Sequence, residues 1–234
     1  MANRTSIEQF VETTRKILVG AKTNKKIYFI MVGGTGSLEL PGKKYTTAAD
    51  SRDFWLAYRR SVADSETSTK HMEDRIGPGP ISDAMRAYRN ARIKLKEGTA
   101  GDEEKKTIAT TEDAVRHGEN WIPDTPLAAR ATFLMFEGNS SFDWTFVSPS
   151  GRFRPGPRTG KYDVYVDEVP LSKEATSKSE DDNEFEGRLL GVSAADLAVA
   201  IVDEAEKREE IGKHWSPVSE WEGDEAMPTT ITIS

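Results

Sequence analysis

The chain has no cysteine among its 234 residues. That excludes disulfides, a thiolate nucleophile and a zinc–thiolate site. Histidine is scarce too: His71, His117 and His214 are scattered, and none belongs to an HExxH-type ligand pair, so no dedicated metal site is expected. No apolar run nears the ~20 residues that cross a bilayer. The polar start, MANRTSIEQF, has no secretory apolar core. Basic residues are outnumbered, 32 Lys and Arg against 39 Asp and Glu for a net charge of −7, which argues against a nucleic-acid partner. These deficits predict a cytoplasmic protein with neither membrane nor nucleic acid as partner, long enough to bury a sizeable core.

Against that background the run IYFIMVGGTGSLELPG, Ile27 to Gly42, stands out. A capping-box pattern, Thr5-Ser-Ile-Glu8, precedes it, followed by apolar residues at helical spacing, which predicts a helix over Ser6 to Lys22. Thr23 to Lys26 then turn into Ile27–Val32. Apolar residues without alternation are the habit of a parallel strand buried on both faces. The middle, residues 51–138, is charge-rich with helical apolar spacing and reads as a helical insert. Within it GTAGDEEKK reads as a solvated loop and TPLAARATFLMFEG as a helix ending at Gly138. Strand patterns return at Phe142–Ser148, stopped by Pro149, and at Lys161–Val166, which reads as a short alternating strand. LSKEATSKSEDDNEFEG is polar and acidic enough to be expected mobile. Ser193-x-x-Asp196 caps a final helix with Leu197, Ala200, Ile201 and Ala205 on its apolar stripe. Trp215 and Trp221 are expected to be partly packed.

The glycines do not form a dinucleotide phosphate loop. Gly34-x-Gly36 is followed by Glu39 where the third glycine of GxGxxG belongs, and Pro41-Gly42 breaks any helix. Without a helix N-terminus there is no dipole to hold a diphosphate.

Four blocks, VGGTGSLE, FDWTFVSPS, PGPRTGKY and GVSAADLAVAIVDEAE, together resemble the C-terminal half of NmrA-like, NAD(P)H-binding atypical short-chain dehydrogenases/reductases. The resemblance covers roughly the first quarter and the last two-fifths of the chain. It implies a single α/β domain, a Rossmann-like parallel sheet that is partial and N-terminally truncated, with the insert at about 51–138. GGTGSLE would end the fifth strand, beside the nicotinamide, and WTFVSP would be the sixth strand. The family's GxxGxxG strand is absent, and the chain begins about where the fourth crossover helix would. A Tyr-x-x-x-Lys pair is also missing: Ala49, Val62 and Arg92 lie four positions after Tyr45, Tyr58 and Tyr88.

The resemblance and the sheet's carboxyl edge nominate the site. Ser37 lies where the family places a hydroxyl for a substrate carbonyl. Gly33, Gly34 and Thr35 would let a cofactor approach the backbone, with Ser148, Pro149 and Ser150 bordering the same crevice. Glu39 and Phe153 would line the substrate pocket. His71 and Tyr58 are the acid/base candidates from the insert, although mixed charge on a helix is usually a solvated face. Trp55, Trp121 and Trp144 read as core or interface anchors. The expected activity is on a small organic molecule, as a cofactor-independent isomerase, cyclase or dehydratase. An NAD(P)H-dependent reductase, or a fragment of one, and a non-catalytic binding protein are the alternatives. No cofactor is expected on this polypeptide alone, NAD(P) only if the missing half is supplied. The open edge of the first strand predicts a homodimer.

Overall fold

The computed structural model describes residues 7–24, 26–119, 121–122, 124–175, 181–221 and 223–224. Helix α1 (Ile7–Ala21) runs into strand β1 (Tyr28–Val32) as the periodicity predicts; the capping residues Thr5 and Ser6 lie outside the described residues. A glycine turn follows, then a hairpin of β2 (Glu39–Leu40) and β3 (Lys43–Thr47). The insert consists of α2 (Arg52–Asp64), α3 (Glu66–Ile76), α4 (Pro80–Lys96), α5 (Asp102–Arg116) and α6 (Asp124–Phe133). The solvated loop expected at GTAGDEEKK is correspondingly shorter: three acidic residues in the first turn favour the positive end of α5, which starts at Asp102. Then come β4 (Asp143–Val147), β5 (Arg152–Arg154), β6 (Asp163–Val166), β7 (Gly191–Ser193), α7 (Ala194–Lys207) and β8 (His214–Val218).

The main sheet has the order β1-β4-β8-β6. Strands β1, β4 and β8 are parallel, and β6 runs antiparallel along β8. Helices cover both faces, which makes this an α/β fold with a mostly parallel, Rossmann-like sheet. On one face Phe29, Met31, Trp144 and Phe146 pack with Leu18 and Ala21 of α1 and with Phe136 after α6. On the other, Ile30, Val147 and Trp215 meet Leu197 and Ala200 of α7. The central strand is β4, whereas β1 stands at the edge and Val32 is exposed. The burial on both faces expected of the unbroken apolar run is therefore only partial: no residue of β1 is fully buried, because the run does not tell an edge strand from a central one.

Three further expectations are corrected. The segment after Leu171 does not end as mobile chain: Phe185 joins the core, and Asp181 and Glu186 pair with buried Arg60. Strand β6 is exposed along its whole length instead of alternating. In α7 the stripe includes buried Glu204 in place of exposed Ala205, because the Glu204 carboxylate accepts bonds from the Tyr28 hydroxyl and the amides of Glu209 and Glu210. Ser193 caps α7 through Asp196 N as predicted. The buried Asp196 carboxylate also accepts from the Thr159 hydroxyl and the Gly160 amide, tying PGPRTGKY to the helix.

Candidate functional site

Three parallel strands release their chains at one edge of the sheet, where ligands of open α/β folds collect. The Gly33–Glu39 turn leaves β1, the Ser148–Phe153 segment leaves β4, and Ser219 onward leaves β8. The first two are joined: Gly33 N donates to Val147 O at 2.8 Å and the Thr35 hydroxyl to Pro149 O at 2.8 Å. The second reaches the insert, where His71 of α3 meets Phe153 ring to ring at 5.6 Å.

The glycine turn is filled from within. A Cβ on Gly33 would fall 2.1 Å from Cε1 of Phe146, and one on Gly36 would meet Pro126 of α6 at 3.2 Å. Gly33 is therefore glycine so that Phe146 can pack. After Gly34 comes a single 3₁₀ turn, Thr35–Ser37, and then β2. No helix N-terminus follows, so these residues do not fit the diphosphate of a dinucleotide.

Ser37 is 2 % exposed, where a surface hydroxyl was expected. Its hydroxyl donates to Gly34 O at 2.9 Å, so its one proton is already committed. Its oxygen lies 3.2 Å from Ser148 Oγ and 3.3 Å from His214 Nε2, and Ser148 Oγ lies 2.9 Å from the same nitrogen. His214 is wedged between Phe133 and Phe146, and burial pulls its pKa down to about 3. It is a neutral core imidazole, a role that scattered histidines in a sequence do not announce. The turn thus joins Ser37 and Ser148 in a sealed cluster, separate from any donor set for a developing oxyanion.

The remaining candidates divide. Glu39 accepts from Tyr45 N at 2.9 Å and serves the hairpin. Tyr58 stacks edge-on against Trp55 at 5.3 Å, and burial raises its pKa. Burial and then the Arg75 charge hold His71 below an ordinary histidine. Both ring nitrogens of His71, and Ser150 Oγ, are buried without a hydrogen-bond partner among the described residues. Pro149 ends β4 and offers its carbonyl to Thr35.

A larger opening lies between α2, β5 and the segment after β8. It encloses about 530 Å³, lined by Ser61, Asp64 and Ser65 of α2 and its C-cap and by Arg152, Arg154 and Asp224, with Lys96 and Trp221 beside them. Arg154 is 3 % exposed. Its Nη1 donates to Asp224 Oδ1 at 2.8 Å and to Ser65 Oγ at 3.1 Å, and its guanidinium lies 4.7 Å from the Trp221 ring. Burial and the neighbouring Arg152 charge lower its pKa below an ordinary arginine. Asp224 also accepts from the Ser65 hydroxyl at 2.6 Å and from Glu66 N, the first amide of α3, at 2.7 Å. The segment is pinned on its way: Ser219 N donates to Gly191 O, Gly191 N to Glu220 Oε1, and Gly156 has no Cβ because Trp221 fills that space. Sequence reading missed Arg154, Ser65 and Asp224. The signals available were Arg-Phe-Arg, which puts two arginines on one side of a strand, and Ser65-x-x-Ser68, an N-cap spacing.

No protein-family model matches this sequence, and no curated protein matches it. Solved structures match it in part. One described as an NADH-flavin reductase from Streptococcus pneumoniae TIGR4 is 17 % identical, with a TM-score of 0.48 over 92 % of this chain and 67 % of the other. One described as an epimerase from Bacteroides thetaiotaomicron is 17 % identical, with a TM-score of 0.48 over 94 % and 75 %. An exported protein from Burkholderia pseudomallei, so described, gives 19 % and 0.47 over 94 % and 68 %. No helix among the described residues is long and apolar enough to cross a membrane.

Proposed function

We propose that this chain is the substrate-side portion of an NmrA-like, reductase-type fold and that it binds a small organic molecule in the crevice beyond the carboxyl edge of its sheet. The observation that carries this reading is the 530 Å³ opening at that edge, with a buried arginine and a helix N-terminus on its walls. A few fixed polar groups in a concavity of this size are what small-molecule sites offer. The resemblance in the four sequence blocks supports the reductase-type ancestry. Binding without NAD(P) is the form the function takes on this polypeptide, because the glycine turn offers no diphosphate cradle. Ser37 is not assigned a catalytic role in this reading, since its proton is committed to Gly34 O.

A thermal-shift and calorimetry panel of small organic acids, amides and sugars tests this, run on the chain and on Ser61→Trp, which puts an indole into the opening. The expected result is a ligand that stabilises the chain and loses its effect in Ser61→Trp. A ligand indifferent to that substitution, or a panel with no binder, overturns the reading.

A further inference from the structure

Arg154 carries more than its contact with Asp224. Among the described residues its Nη1 has partners, whereas Nε and Nη2 have none. The residue is 3 % exposed and lines the opening. Bidentate recognition of an oxyacid is the geometry a guanidinium suits best. Beside it, Ser65 Oγ and Glu66 N already hold a carboxylate, at 2.6 and 2.7 Å. That carboxylate belongs to Asp224, whose side chain is 37 % exposed at the rim. Lys96 and Arg152 add positive charge to the same walls, with Asp64 and Glu186 limiting it.

Resting on the crevice reading above, we infer that Arg154, Ser65 and the first amide of α3 form an acid-group subsite, which takes the carboxylate or phosphate of the small-molecule ligand in exchange for Asp224. Asp224 acts as an internal occupant. It keeps the cationic pocket satisfied when empty and yields to a ligand that also uses Nε and Nη2. A monoacid that makes only the Asp224 contacts gains nothing by the exchange. An acid reaching further into the opening does.

The test is calorimetric titration at fixed ionic strength, with succinate, inorganic phosphate and neutral succinamide as probes, on the native chain, Asp224→Asn and Arg154→Lys. If Asp224 competes, its removal raises the apparent affinity for the acid probes by about tenfold, the inverse of the fraction of time the native site stands open. Succinamide binding is unchanged. Arg154→Lys, which keeps the charge and loses the fork, weakens the acid probes by about tenfold. Succinate gaining more than phosphate identifies a carboxylate subsite, and the reverse a phosphate subsite; either supports the exchange. The inference is overturned if Asp224→Asn binds both acids no better than the native chain does. A crevice ligand that Ser61→Trp blocks, but that ignores Asp224→Asn and Arg154→Lys, removes the acid subsite and leaves the crevice function standing. Circular dichroism of each variant separates loss of binding from loss of fold.

Discussion

At Gly33 the smallest side chain meets the back of an aromatic ring. Its missing Cβ is the space that Cε1 of Phe146 occupies, 2.1 Å from where the Cβ would be, so Gly33→Ala forces the ring or the strand to move. Overpacking of this kind costs about 1–3 kcal/mol, and chemical denaturation of Gly33→Ala should show a loss in that range, while Gly34→Ala, with no heavy atom near, stays close to the parent. His214 gives a pH dependence. Its folded pKa, about 3 through burial, lies below the unfolded histidine value near 6.5. The unfolded chain therefore binds the extra proton first, and stability falls as pH drops from about 6.5 toward 3, by up to about 1.4 kcal/mol per pH unit for this one group. Urea midpoints between pH 6.5 and 5 should therefore slope more steeply for the native chain than for His214→Gln. Equal slopes would mean that the imidazole is not the titrating group. Gly33, Ser37 and Ser148 drew attention from the sequence as cofactor or substrate contacts because glycine and serine at a strand's end serve both a ligand and a turn. What settles the use of Ser37 and Ser148 is His214, 177 and 66 positions further on, and that of Gly33 is Phe146, far along the chain on the neighbouring strand.

Among the elements, helix existence followed from periodicity, and α1, α2, α4 and α7 lie where the apolar spacing put them. The helices of the insert are held by charge as well as by apolar contact. Arg60 of α2 bonds Glu112 of α5, Asp181 and Glu186, and Glu112 takes further bonds from Tyr88 and Arg92 of α4. Burial alone would raise the Glu112 pKa, but its bonds with Arg60 and Tyr88 bring it below an ordinary glutamate. Glu112→Gln weakens the anionic partner shared by two buried guanidinium groups, while Arg60 keeps Asp181 and Glu186 and Arg92 keeps Asp64, so a loss of about 1–3 kcal/mol is expected. Thermal melts should show that loss, with helical dichroism retained in the folded state. A mixed-charge run reads as a solvated face in sequence, and Arg60 shows why that reading fails here: its acceptors are 52 to 126 positions away. Pairings at that distance leave no local pattern. The same holds for strand order, since the run at Ile27–Val32 reveals apolar faces but not that β1 has, among the described residues, a neighbour on one side only.

For the whole molecule, the open edge of β1 with Val32 exposed, and exposed Ile17 and Val19 on the helix beside it, favour pairing with a second copy about a two-fold axis. Light scattering is expected to give a mass above the 26.0 kDa of one chain that falls on dilution; a constant single-chain mass would remove the dimer. The architecture was legible in outline because α/β patterning and the four sequence blocks agree. The opening was not, because it is assembled from α2, β5 and the segment after β8, brought together only by the fold. Its place decides the account. The most direct measurement is an amide and indole NMR map of the native chain titrated with the binder from the organic-ligand panel. Perturbations centred on Glu66 N–H, the Trp221 indole and the Arg154 amide are the predicted result. Perturbations centred on Gly33–Ser37 and Ser148, with Glu66 and Trp221 silent, would contradict it.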